Sequence, residues 1–120
     1  MTQLCDCPFG FEDGHVVSYR AEGGRLFVQF EFWSERRGIL VFEGLVGMHD
    51  EGATGVTVGS VCELLSSELI TSLARRHFEI PPENTGWRHF RFLDLNDGAM
   101  FEVVASSCSF EEGQNAENGT

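Results

Sequence analysis

The side chains best suited to chemistry in this sequence are His49, Asp50 and Glu51, which follow one another in a stretch punctuated by glycine. An imidazole and two carboxylates are groups that bind catalytic metal ions, so a metal-dependent enzyme that uses this loop is one alternative function. A single cluster supplies at most two well-aimed ligands, and the others must come from elsewhere. We therefore predict a solvated loop tip, with no metal and no catalytic residue.

Cys5 and Cys7 form a C-x-C pair of the kind that can hold a soft metal ion. Structural zinc sites need four ligands in two paired spacings, and no second pair of cysteines or histidines follows at such an interval.

The sequence also lacks a G-x-S-x-G elbow, a G-x-G-x-x-G loop and a P-loop. These features predict a protein that is not an enzyme and that takes no cofactor.

Acidic residues dominate the chain, because 19 Asp and Glu against 8 basic residues give a formal charge of −11 at pH 7. Such a charge repels phosphates, and the pairs Arg36-Arg37 and Arg75-Arg76 are too small to form a basic patch. No apolar run approaches the roughly 20 residues of a membrane span. We expect no nucleic acid and no membrane as partner. A basic protein partner is electrostatically favourable, although acidity also serves solubility alone.

The N-terminal residues MTQLCDCPFG contain neither the basic region nor the apolar region of a secretory signal. This absence predicts a cytoplasmic protein. In that compartment the four cysteines are expected to be reduced thiols, with Cys62 and Cys108 as small core residues.

Two hairpins dominate the hydrophobic pattern. Residues 25–46 contain two alternating apolar runs separated by the polar break Ser34–Gly38, and residues 87–110 repeat this arrangement around Asn96–Gly98. An earlier strand over residues 11–20 joins the first hairpin through a Gly-Gly turn. One fully apolar row lies on the first hairpin: Leu26, Val28, Phe30 and Phe32.

One helix is predicted near residues 60–79. Ser60 and Glu63 fit a capping box, and apolar residues then recur at helical spacing. Arginines near the end favour the helix dipole, and Pro81-Pro82 cannot continue the helix.

These elements predict a single α+β domain over residues 1–110, followed by a disordered acidic tail over residues 111–120. In this domain an antiparallel sheet of about five or six strands packs on the one helix. A two-sheet β-sandwich with a capping helix is the main alternative.

Side chains on the second face of the sheet are candidates for binding a partner. Phe27, Trp33 and Trp87 are exposed there if the helix covers only the first face, and aromatic residues flanked by acids are common in the energetic centres of interfaces. Asp50 and Glu51 complete the predicted partner-binding set. A second sheet or a second copy of the chain would instead bury these aromatic residues.

The hairpin segments resemble those of a group of small bacterial proteins. FEDGHVVSYRAEGGRLFVQFEFW with ILVFEGLVG, and FRFLDLNDGAMFEVVASSCSFE, are similar to the first and last hairpins of these proteins, some of which are immunity proteins of polymorphic toxin systems. The resemblance implies a small, acidic, cytoplasmic and non-catalytic protein that binds a cognate toxin. Glu12 departs from the pattern, since similar proteins tend to place histidine there, and no functional residue is carried over.

We therefore predict a non-enzymatic protein-binding domain, of the kind that inhibits a basic toxin. Two alternatives remain at this point. One is a homo-oligomer, such as a homodimer, in which edge strands of two copies pair. The other is the metal-dependent enzyme that uses the His49-Asp50-Glu51 loop.

Overall fold

The computed structural model describes residues 4–112, which form two four-stranded sheets and one α-helix. A short 3-10 turn, η1, precedes them at Leu4–Asp6. The strands are β1 (His15–Glu22), β2 (Arg25–Glu31), β3 (Arg37–Glu43), β4 (Gly47–Asp50), β5 (Ser60–Leu64), β6 (Arg88–Leu93), β7 (Ala99–Ala105) and β8 (Ser107–Glu112). The helix, α1, spans Glu68–His77.

The first sheet has the order β1-β2-β3-β8, and all its neighbours are antiparallel. β1 begins at His15, later than predicted, because residues 11–14 turn back through Asp13 at a φ of 68°. Gly38 lies against the ring of Phe110, where a Cβ would come within 2.1 Å of the ring, so the side chain at this position must be absent. β8 ends at Glu112, inside the segment predicted as a tail, and residues 113–120 lie outside the described residues.

The second sheet has the order β4-β7-β6-β5 and is also antiparallel. Its central hairpin, β6 and β7, reverses at the predicted turn, where Asp97 adopts a φ of 64° and the amide of Asp94 donates to the carbonyl of Gly98 at 2.8 Å. Both predicted hairpins are therefore present, but the returning strand of the second ends at Ala105, and the residues from Ser107 onward form β8 of the first sheet.

The two sheets pack face to face around one core. Phe30 and Phe32 of the first hairpin are 0% and 2% exposed, and Phe30 meets Phe92 with ring centroids 6.2 Å apart. The α+β class with antiparallel strands is confirmed, but the single sheet of five or six strands is wrong. Both hairpins carry a row of phenylalanines on their inner face. Packing the two sheets against each other buries both rows, and a helix of ten residues is too short to cover either sheet alone.

The predicted helix near residues 60–79 is too long at its N-terminal end. Residues Ser60–Leu64 form β5, which pairs with β6 from Ser60 opposite Leu93 to Leu64 opposite His89. The predicted capping box at Ser60 and Glu63 is wrong, because a short apolar run fits either period and strand pairing decides between them. The actual N-cap is Ser67, whose Oγ accepts the N–H of Ile70 at 3.1 Å.

α1 lies on the outer face of the second sheet instead of on the core. Leu73 approaches Gly47 of β4, and only Ile70 and Ala74 of the helix are buried. Within residues 4–112, no helix has the length and apolar character that crossing a membrane requires.

A disulfide between Cys5 and Cys108 corrects the expectation that all cysteines are reduced. The bond fixes η1 against β8, and Cys7 of the same segment is a buried free thiol. Phe9 of the same segment packs on Phe32, with ring centroids 5.3 Å apart. Disulfides form in oxidising compartments and are rare in the cytoplasm, so this bond does not fit the cytoplasmic location that we expected from the sequence.

Replacing Cys5 with serine is expected to lower the free energy of unfolding by about 2–4 kcal/mol, because the bond closes a long loop in the unfolded chain. The two cysteines are 103 positions apart in the sequence. Urea denaturation without reductant measures the change, and the Cys62→Ser variant, which alters a free thiol, is the matched control. Equal stability of the two variants, or four titratable thiols in the unreduced, unfolded chain, would contradict the assignment.

Candidate functional site

The three aromatic residues predicted to bind a partner lie in three separate places. Trp33 projects from the turn between β2 and β3 and is 74% exposed. Trp87 precedes β6 and is half-buried against Phe78, with ring centroids 5.7 Å apart. Phe27 lies on the outer face of the first sheet, half-buried, with the Arg20 guanidinium 4.5 Å above its ring. The structure therefore does not gather the three aromatic residues into one surface.

Asp50, the fourth predicted binding residue, is engaged inside the protein. Its Oδ2 accepts the hydroxyl of Tyr19 at 2.7 Å, and its Oδ1 accepts the N–H of Ala53 at 2.8 Å. The Ala53 amide first, and then the Tyr19 hydroxyl, hold the pKa of Asp50 below its ordinary value. Asp50 thus ties β4 to β1 and has little capacity left for a partner.

His49 and Glu51 are the other two residues of the predicted metal-binding alternative. His49 lies on β4, not on a loop, and its exposed ring pairs with the Glu51 carboxylate. This hydrogen bond raises the pKa of His49. Across residues 4–112 no three or more His, Cys, Asp or Glu side chains are grouped so that they could hold a metal ion.

A buried polar chain under α1 was missed by the sequence analysis. His89 is 4% exposed, its Nδ1 lies 2.9 Å from Ser67 Oγ, and its Nε2 lies 2.7 Å from Glu102 Oε1. Local patterns carry no signal for it, since the three residues come from β6, the α1 cap and β7.

The order serine, histidine, carboxylate resembles that of a nucleophilic relay, but the surroundings favour a structural role. Ser67 Oγ already accepts the N–H of Ile70 as the cap of α1, and the imidazole is enclosed beneath the helix. Each ring nitrogen of His89 therefore lies within hydrogen-bond distance of one partner, Nδ1 of Ser67 Oγ and Nε2 of Glu102 Oε1. The chain of contacts therefore fastens the start of the helix to the second sheet.

Four turns meet at one end of the two sheets, and we call them together the acidic end: residues 11–14, 32–36, 56–59 and 94–98. Asp13 N–H donates to the carbonyl of Val58, and Val58 N–H donates to the carbonyl of Gly14, both at 2.8 Å. Gly59 N–H donates to the carbonyl of Leu93, also at 2.8 Å, which joins the third turn to the end of β6, directly before the fourth turn. The aromatic pairs Phe11–Phe32 and Phe11–Phe92 complete the support from within the core.

The acidic end exposes large apolar side chains and several carboxylates, besides the neutral polar residues Ser34, Thr57 and Asn96. Three large apolar side chains are exposed: Trp33 at 74%, Leu95 at 68% and Val56 at 40%. The carboxylates in these turns are Glu12, Asp13, Glu35, Asp94 and Asp97. Against them stands one arginine, Arg36, which already pairs with Glu112 at 3.1 Å. The local excess of negative charge is therefore uncompensated by the described part of the chain.

Two concave features accompany these surfaces. A shallow cavity of about 310 Å³, widely open to solvent, lies at the acidic end between Val56 and Leu95. A groove of about 390 Å³ lies between α1 and residues 81–85, and the exposed Leu65 lies along it.

Comparison with known proteins adds no assignment, because no family model, no curated protein and no solved structure matches the chain. The resemblance to immunity proteins thus stays a prediction.

Replacing Ser67 with alanine is expected to destabilise the protein by at least about 1 kcal/mol, through loss of the helix cap and of the partner of His89 Nδ1. The neighbouring exposed Ser66 provides the matched alanine control. Chemical denaturation of both variants measures the difference. If Ser67→Ala and Ser66→Ala have the same stability, the fastening role of Ser67 is wrong.

Replacing Tyr19 with phenylalanine is expected to raise the pKa of Asp50, since one hydrogen bond to its charged form is lost. The pKa should stay below the ordinary 3.8, because the Ala53 amide remains. A depressed carboxyl pKa stabilises the fold above pH 3.8 and loses that effect as the pH falls through the folded-state value, so the variant loses part of this stabilisation. Carboxyl carbon NMR titration follows Asp50 directly, with Ser18→Ala as the control; an unchanged titration in Tyr19→Phe would refute the coupling.

Proposed function

We propose that this protein is a non-enzymatic binding domain that docks a basic protein partner on its acidic end, with Trp33 at the centre of the contact. The observation that carries the proposal is the 74% exposure of Trp33 within a set of turns that hold an excess of carboxylates. A large aromatic side chain is costly to leave in water, and tryptophan is the residue type most enriched in interface hot spots.

The turn that carries Trp33 is packed and hydrogen-bonded, which favours binding. The adjacent Phe32 is 2% exposed and packs against Phe9, Phe11 and Phe110. The turn itself is closed by hydrogen bonds from Phe32 N–H to the carbonyl of Arg36 at 2.7 Å and from Glu35 N–H to the carbonyl of Phe32 at 2.8 Å. A partner therefore meets a preorganised turn and loses little affinity to ordering it.

The charge of the acidic end selects the kind of partner. Its carboxylates attract a basic surface during diffusion and repel acidic surfaces at short range, so they raise the association rate for basic proteins. The similarity of the hairpins to those of immunity proteins supports extending the proposal to a specific case, in which the basic partner is a bacterial toxin and binding inhibits it.

The proposal is tested first by placing a photo-crosslinking phenylalanine analogue at position 33 in the producing cells. The matched control places it at position 65, where Leu65 is equally exposed but lies away from the acidic end. We expect adducts with a basic protein from position 33 and none of that kind from position 65. Adducts with a second copy of this chain at position 33 would instead support the homo-oligomer.

The captured protein is then purified and its affinity for the chain is measured. Trp33→Ala is expected to weaken binding about 30-fold or more, the loss typical of a hot-spot residue, while Leu65→Ala leaves it nearly unchanged. Reversing the charges of Glu35 and Asp97 to lysine should slow association, whereas the same reversal at Glu68 and Glu79 should not. Equal losses in Trp33→Ala and Leu65→Ala would overturn the proposal.

A further inference from the structure

One cavity at the acidic end is lined by both aliphatic and polar residues. It lies between the loop at Val56 and the turn of the second hairpin, and its volume is about 310 Å³. The lining residues are Val56, Thr57, Asp94, Leu95 and Asn96. The lining residues thus comprise one acidic residue, one hydroxyl-bearing residue, one amide-bearing residue and two exposed aliphatic residues.

Asp94 is held in place by its own turn. Its Oδ1 accepts the N–H of Asn96 at 2.8 Å and the N–H of Gly98 at 2.9 Å. Its Oδ2 accepts no hydrogen bond within residues 4–112, and no arginine or histidine of that range forms an ion pair with it. A Cβ at position 98 would approach Oδ2 to 3.0 Å, so the glycine there leaves this oxygen uncovered.

The walls of the cavity suit an arginine in particular. Val56 and Leu95 are 40% and 68% exposed, and apolar surface of this kind packs well against the methylene stem of a long cationic side chain. The guanidinium group offers five donors in one plane, which can reach the free Asp94 oxygen and the neighbouring polar side chains at once. A lysine ammonium is a compact and strongly hydrated charge, so it is less able to contact the Asp94 oxygen and the neighbouring polar side chains at the same time.

We propose that this cavity binds one arginine side chain of the partner, with its guanidinium on Asp94 Oδ2 and its stem between Val56 and Leu95. The inference rests on the proposed function, because it names the chemistry that the acidic end recognises. It also assigns Asp94 a second task, since its Oδ1 builds the hairpin turn while its Oδ2 takes the ligand.

The test uses the whole chain and small probes in place of the unidentified partner. The amide resonances are followed by NMR during titration with N-acetyl-arginine methylamide. The citrulline analogue, which has nearly the same shape without the charge, and the lysine analogue are titrated in parallel. We expect saturable shifts at residues 56–57 and 94–98 for arginine, and binding weaker by about tenfold or more for citrulline.

Asp94→Asn is the decisive variant, because its side-chain oxygen can still accept the N–H groups of Asn96 and Gly98 while the charge is removed. Asp97→Asn is the matched control, since it neutralises a carboxylate of the same turn that does not line the cavity. Arginine shifts lost in Asp94→Asn and retained in Asp97→Asn would support the assignment. Equal loss in both, equal binding of lysine or citrulline, or no saturable shift at all would overturn it.

This outcome is separable from that of the proposed function. If partner binding depends on Trp33 but the cavity takes up no arginine, only the cavity assignment fails. If the cavity binds arginine but Trp33→Ala does not change the affinity for the partner, the docking proposal fails instead.

Discussion

The mutual burial of two phenylalanine rows is the contact on which the rest of this structure depends. Phe30 and Phe42 from the first sheet face Phe92 and Phe90 from the second, and all four are at most 1% exposed. Burying one such side chain contributes roughly 1.5–3 kcal/mol, so the row accounts for a large share of the stabilisation. Because the sheets cover each other, the helix is not needed in the core and remains on the outer face.

The same arrangement determines where side chains are free to interact. Because the two sheets bury their inner faces against each other, the turns between strands lie at the ends of the sheets. One such turn places the exposed Trp33 directly after the buried Phe32. The ion pairs also determine where negative charge remains unpaired. Every arginine outside α1 forms an ion pair with a carboxylate inside residues 4–112. The excess of acid therefore remains as unpaired carboxylates, and several of these lie in the turns around Trp33.

Polar and covalent contacts join what the core leaves apart. Tyr19 and Asp50 connect the two sheets at one edge, His89 connects the helix cap to β7, and the disulfide holds η1 on β8. Each contact connects segments from different parts of the chain, so each fixes an arrangement that the hydrophobic pattern leaves open. The acidic end benefits as well, because the anchored N-terminal segment places Phe11 beneath its turns.

The two hairpins, their turns and the buried face at Leu26 and Phe30 are predictable from the sequence, because strand alternation and turn chemistry act between near neighbours. The sequence predicts Trp33, Trp87 and Phe27 as exposed contacts, but only Trp33 is largely exposed, and the other two are half-buried. That Ser60–Leu64 forms a strand follows from its pairing with β6, which outweighs an ambiguous local pattern. The same holds for the disulfide, for the partners of His89 and for the acidic end with its cavity at Asp94. These features arise from residues far apart in the chain, and they exist only once the two sheets have closed on one another.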